Sequence, residues 1–450
     1  RGGVDSVGCR PLENMKRAFE NLRKNGMLKS AVAENFEIKA THLYVRFLPQ
    51  DSVQVNHLLE DTAKVMFDYP LDYEVLRDGN FYHDPGIPKD RPTWLYTVVP
   101  INVNLPDIPY EIIEECFIPP DVENSTDLKS AALSSFYEQL EYEAFRITGN
   151  LCDGTNLKSL SIFGPRHRPA GRIQVYNTEV GWQGVRGVEV RVHNFMRIGR
   201  DYTDLYGNYQ IDKQFRTRVR YAVIFENARG FRIWGNRIFI APARFGMGGQ
   251  SNRGYSHDIG RGSEAWKWAT VNNAICKYLD YCIELSIRKP PSDLRVWVRE
   301  SNKHVSGAAP MLRRTFGLYG FNTNSQIFTF LLRWNVISFG VNYLAAWTEF
   351  AQPDIMLFVN YDDKDLVDTE AVYYVTFHEL AHASHWAQAG NRYWVRFINA
   401  IITYGNPMAD DRPYGDGTGQ NAGYVGVGEM WGFYFGALLT YMEFSSTDRL

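Results

Sequence analysis

The segment His378-Glu379-Leu380-Ala381-His382 sets two imidazoles four residues apart with a carboxylate beside the first. On a helix, positions i and i+4 stack on one face about 6 Å apart. Both rings can therefore share one Zn²⁺, and Glu379 can reach a water bound to that ion and act as its general base. The surroundings favour a helix here. Asp368 or Thr369 can cap its start, Gly390-Asn391 can end it, and neither Pro nor Gly interrupts residues 369–389.

A catalytic zinc takes three protein ligands and leaves one position to water. Glu429 is the expected third ligand: it is the only acid between Asp416 and Glu443, and it stands at the start of an apolar helix. A carboxylate buried alone there needs a partner, and an ion supplies one. The bland alternative is a Glu held by the dipole of a helix N-terminus. Asp410, Asp411 and Asp416 are the reserves. Zinc lowers the pKa of bound water towards about 7, and a donor must then stabilise the oxyanion that forms on a peptide carbonyl. Tyr424, in the Gly-rich stretch before Glu429, is the first choice for that donor, with Tyr404, Tyr414 and Tyr434 as competitors. His385 lies seven residues after His378, too far along the helix to join the same ion, and is read as a plain polar contact.

The elements that must position these groups fall into three regions, and the fold class expected is a multidomain α+β chain. Residues 1–168 read as a mixed α/β region with helices near 11–24 and 127–147 and a strand at 41–48. His83-Asp84 in this region reads as surface rather than a metal site. Residues 169–245 change character: short alternating strands at 171–177, 187–193, 203–211, 219–225 and 237–241, separated by turn residues, predict a β-sandwich. Residues 246–450 hold a helix near 263–286 with Ser263 as cap, strands at 294–298 and 353–360, and then the HExxH helix.

Two resemblances follow from these residues. Gly187-Val188, Thr203-Asp204, Gly207, Tyr209 and Ile211 are similar to the signature of transthyretin-like, carboxypeptidase-regulatory or Cna-B sandwiches. That resemblance implies a non-catalytic module of a secreted or bacterial cell-surface protein, and so an extracytoplasmic chain whose leader has been removed; it leaves room for a lipid anchor or other surface association. The order strand, loop, HExxH helix resembles the zincin metallopeptidases, in which an edge strand precedes the active-site helix and pairs with extended substrate. Within that group the metzincin pattern fails, because His385 and Gln388 occupy its Gly and third His positions. The aspzincin pattern fails at Gln420, where its Asp belongs. The gluzincin pattern, with a Glu on a second helix, is met by Glu429. The resemblance implies a zinc-dependent peptidase acting on peptide or protein substrates. A non-catalytic binding or adhesion protein with a structural or vestigial zinc is the alternative reading.

Composition bounds the rest. The 450 residues carry a net charge of −3, so no basic excess exists to neutralise phosphates and nucleic acid is not an expected partner. No apolar run approaches the roughly 20 residues of a membrane span. Arg216, Arg218 and Arg220 alternate with Thr217 and Val219 and are expected on the wet face of a strand. Five cysteines without a CxxC pair form no metal motif, and buried thiols and one bridge such as Cys116–Cys152 are both open readings.

Overall fold

The computed structural model describes residues 11–28, 36–61, 63–72, 82–88, 91–121, 128–149, 166–235, 241–300, 305–315, 353–360, 367–405 and 413–445. The chain is a mixed α/β protein with eight helices and several sheets among these residues.

In the first region, helix α1 (Leu12–Lys24) buries Met15, Ala18 and Leu22, the apolar positions that recur at helical spacing. Strand β1 (His42–Phe47) and helix α2 (Ser52–Glu60) follow, the latter capped by the Asp51 carboxylate accepting from the Gln54 amide. Strands β2 (Leu95–Pro100) and β3 (Tyr110–Cys116) flank β1 in a three-stranded antiparallel sheet. Helix α3 (Leu128–Ile147) packs on α1 through Phe136, Tyr137 and Leu140.

The middle of the chain is all strand: β4 (Ala170–Asn177), β5 (Gly181–Gly184), β6 (Val188–Asn194), β7 (Arg197–Tyr202), β8 (Asn208–Gln210), β9 (Val219–Asn227), β10 (Arg232–Trp234), β11 (Arg244–Gln250) and β12 (His257–Ile259). Val188, Val190 and Val192 face the core as their alternation predicts. The opposite face of β6 is not wet. Arg191 donates to the Met66 carbonyl at 2.9 Å, and the Tyr69 hydroxyl meets His193 Nε2 at 3.0 Å, so the first region docks there. Arg216 departs from the solvent face expected of it. Its side chain is largely buried and pairs with Glu138 of α3.

The last part comprises α4 (Glu264–Glu284), β13 (Arg295–Glu300), β14 (Ser306–Ala308), α5 (Leu312–Thr315), β15 (Ile355–Val359), α6 (Thr369–Ala389), α7 (Asn391–Tyr404) and α8 (Ala422–Phe444). Ser263 precedes α4 without a side-chain cap; its hydroxyl donates to the Gly260 carbonyl instead. One eight-stranded sheet runs β14-β15-β13-β10-β9-β6-β7, with β11 also on β9, and a four-stranded sheet joins β12, β4, β5 and β8. Both sheets cross the 245/246 division drawn from the sequence, and a single core extends from Ile173 to Phe444. The strands from β4 onward and the helices α4, α6, α7 and α8 thus share one hydrophobic interior.

Cys116, Cys276 and Cys282 are buried, while Cys9 and Cys152 lie outside the described residues. The strand expected at 237–241 lies almost wholly outside them too. Among the described residues no helix is long and apolar enough to cross a membrane.

Candidate metal centre

The centre forms where α8 presses against α6. Helix α6 begins at Asp368, whose carboxylate accepts from the Ala371 amide at 2.7 Å, and ends at Gly390, which takes a φ of 79° that a glycine adopts without steric cost. Its first residue is tied to the β4–β5 turn by two reciprocal bonds: Thr178 N to Thr369 Oγ1 at 3.0 Å and Thr369 N to Thr178 Oγ1 at 2.8 Å. Both ends of the helix are therefore fixed independently of any ligand.

His378 and His382 stack on the face of α6 that meets α8. Their Nε2 atoms lie 3.0 Å apart, and Glu429 Oε2 is 3.5 Å from the first and 3.7 Å from the second. Four tetrahedral ligands at the 2.0–2.2 Å typical of zinc stand about 3.3–3.6 Å from one another, so this triangle has the dimensions of three corners of such a site. All three residues are buried. Glu429 Oε2 makes no hydrogen bond, nor does His382 Nδ1.

The close approach has a local cause. Gly428, Gly432 and Gly436 recur every fourth residue on the inner face of α8. A Cβ at Gly432 would lie 2.9 Å from the Nε2 of both His378 and His382. Only a residue without a side chain leaves that space to an ion. Glu429 lies in the third turn of α8 rather than at its start, because the helix opens at Ala422. The helix dipole acts only on the first turn, so the neighbouring imidazoles account for the state of its carboxylate. Burial pushes its pKa up, but the close approach of the His378 and His382 imidazoles outweighs it and holds the group down at about 2.

Glu379 is buried, and its Oε2 has no hydrogen-bond partner. Burial raises its pKa, the two imidazoles lower it, and Glu429 raises it again, for a net rise. Strand β14 sits directly against it: a Cβ at Gly307 would meet the Glu379 side chain at 2.7–3.0 Å. β14, not β15, is the outer strand of the sheet. It pairs antiparallel with β15 through Ser306↔Phe358, Gly307↔Leu357 and Ala308↔Met356, and no described strand lies on its other side. The strand at 353–360 that the sequence placed at the edge is instead covered, between β13 and β14.

The phenol beside the centre is Tyr414. Its pKa is driven far up by burial and by the nearby charges of Glu429 and Glu379. Tyr424 is in the first turn of α8 and is engaged elsewhere: its hydroxyl accepts from Arg396 at 2.5 Å and its ring packs on Tyr393. Tyr404 packs over Gly415 and Gly419, and Tyr434 points outward from α8. His385 stands among Tyr393, Trp394 and Trp431, outside the triangle. Asp416 caps its own turn through Thr418, and Asp410 and Asp411 lie outside the described residues. His83 bonds the carbonyls of Asp84 and Arg91 within its loop.

Sequence reading did not single out Gly432 or Gly307. The four-residue repeat of glycines on an otherwise helix-forming, apolar segment was the available signal for the first. The second had none, since its role depends on a strand pairing distant in sequence.

No protein-family model matches this chain, and no curated protein does. Among solved structures, a crystal structure of (S)-allantoin synthase aligns with 32% of this chain and 60% of that one, at 13% identity and a TM-score of 0.14. The alignment thus spans under two thirds of that protein, and at this score it carries no argument about fold or function.

Proposed function

We propose that the chain is a zinc-dependent peptidase of the zincin type, with His378, His382 and Glu429 as metal ligands and Glu379 as general base. The observation that carries this reading is the convergence of three buried ligand atoms beside a carboxylate oxygen without a partner. Two carboxylates and two imidazoles buried together hold net negative charge when the rings are neutral, a state that a divalent cation offsets. When bound, zinc would activate water and polarise the scissile carbonyl. Glu379 Oε2 would take the proton from that water and pass it to the leaving amine. The Tyr414 hydroxyl, beside Glu429 and Glu379, would be the donor to an oxyanion.

The edge position of β14 supports a peptide substrate. Its outward backbone groups can pair with an extended chain, and Gly307 on that strand touches Glu379, so such a chain would run past the base. The resemblance of residues 169–245 to transthyretin-like modules supports an extracytoplasmic setting.

The test is zinc content and turnover of wild type and Glu379→Gln on a mixed peptide library. One zinc per chain in both, with cleavage by wild type alone, is the expected result. Zinc without cleavage by either would favour the binding-protein reading, and absence of zinc from wild type would overturn the assignment.

A further inference from the structure

The outward face of α8 carries no charge. Gly423, Val427, Met430, Tyr434, Ala437 and Tyr441 are all exposed, with Met430, Tyr434 and Tyr441 at 64%, 60% and 68%. Their spacing is four, three, four, three, four. At 100° per residue these six positions fall within about 80° of the helix circumference, the a/d seam by which one helix packs on another. Solvent-facing helix stripes are normally charged or polar. No Lys or Arg occurs anywhere in 413–448.

We infer that this stripe is the interface of a homodimer in which α8 packs on α8 of a second copy. Bare area supports an association surface. At 150–250 Å² for a tyrosine side chain, Tyr434 and Tyr441 leave on the order of 250 Å² exposed between them, and the stripe as a whole on the order of 500 Å². Two copies together would bury on the order of 1,000 Å², the lower bound for a specific interface, before any flanking contact is added. Absence of charge favours a second copy over other occupants. A two-fold contact sets the residues near its axis against their own copies, where like charges would repel, and an uncharged seam avoids this. A foreign partner is usually specified by complementary charge, and an anionic membrane surface needs basic residues; the stripe offers neither. Small residues at 423 and 437 flank the larger Met430 and Tyr434, so that knobs near the centre have room at the ends. The inference does not depend on the metal, although the same helix holds Glu429 on its inner side.

Sedimentation velocity of the full chain, from low to high micromolar concentration, tests this directly. The wild type is expected to approach twice the 51.8 kDa of one chain. Met430→Lys with Tyr434→Lys is expected to weaken association by about 100-fold or more, with zinc content unchanged as evidence of an intact inner face. Tyr434→Cys should give an intermolecular cross-link with a short bismaleimide that the wild type does not give. A wild type monomeric at every concentration, a dimer indifferent to the two lysines, or a monomer that instead floats with phosphatidylcholine vesicles would each overturn the inference.

Discussion

Replacing Gly432 by Ala puts a single methyl group where the proposed ion belongs. The added Cβ would stand 2.9 Å from the Nε2 of both His378 and His382 and 2.8 Å from His378 Cε1, whereas ordinary contact begins near 3.4 Å. At least one ring must therefore move by about 0.5 Å, beyond the roughly 0.2 Å tolerance of a zinc ligand distance. Changes that merely reorient ligands cost 10–100-fold in affinity, so displacing a ligand should cost about 100-fold or more. Fold stability without metal should change far less. Ala in place of Gly inside a helix gains about 1 kcal/mol, against an overpacking cost of about 1–3 kcal/mol. The assay is a competition titration against a chromophoric chelator, with thermal unfolding recorded with and without zinc. The expected result is near-wild-type unfolding of the metal-free protein and loss of about 2.7 kcal/mol of the stabilisation that zinc confers, the equivalent of 100-fold in affinity. Unchanged zinc affinity in Gly432→Ala would refute the convergence of the two imidazoles on one ion.

Gly307→Ala pushes on the Glu379 side chain from β14; kcat should fall about 10–100-fold while zinc stays at one per chain, and lost zinc would show that β14 supports the ligands instead. Tyr414→Phe should lower kcat about 100- to 1,000-fold with KM little changed if the hydroxyl faces the oxyanion; a change confined to zinc affinity would mean that it only orients Glu429. His193 lies buried between β6 and Tyr69, and burial followed by the charges of Arg220, Arg191 and Arg244 pushes its pKa down to about 3. The unfolded chain takes up a proton there near pH 6.5 and the folded chain does not. The stability this group confers is thus complete above pH 6.5 and is lost as pH falls towards 3, at up to about 1.4 kcal/mol per pH unit. Denaturant titrations from pH 7 to 4.5 should show a shallower loss in His193→Gln than in wild type; parallel curves would refute the assignment.

The helix of the centre was legible because every cue was local: Asp368 and Gly390 bracket an uninterrupted run, and the imidazole spacing is a property of one helix. Glu429 was legible for a different reason, as a lone acid in an apolar stretch that needs a partner. The start of α8 was misjudged because Gly423, Gly426 and Gly428 read as loop residues. Burial of the helix against α6 and α7 overrides their low propensity, and Gly428 alone of the three permits that burial, since a Cβ there would meet the Phe397 ring at 2.5 Å. Tyr424 and Tyr414 could not be ranked from sequence, since which phenol meets Glu429 depends on how residues 413–421 approach α8. The role of β14 was hidden likewise. Three residues, Ser306-Gly307-Ala308, carry no strand signature, and they become the sheet edge only through pairing with β15 some fifty residues on. Arg218 is exposed as its alternation predicts, but Arg216 is not, because alternation marks a face without saying what covers it, and here Glu138 of α3 does.

Whether the centre is catalytic or only structural turns on the fourth position. A structural zinc is closed by four protein ligands, and the cluster among the described residues supplies three. Among the described residues, what stands next to the triangle is not another ligand but a carboxylate with an oxygen that makes no hydrogen bond, a phenol and a strand with no other strand on its outer side. Each is costly to hold in a purely structural site. Glu379 is buried without a hydrogen bond to Oε2, a desolvation penalty of about 1–3 kcal/mol, and Gly307 gives up a side chain to accommodate it. A fold that needed only a clamp between α6 and α8 could replace Glu379 by Gln or Leu and gain stability. Glu379→Leu is therefore expected to raise the unfolding free energy of the zinc-bound protein while abolishing turnover. A loss of stability in that variant would assign Glu379 to holding the fold and would remove the strongest argument for an open, reactive site.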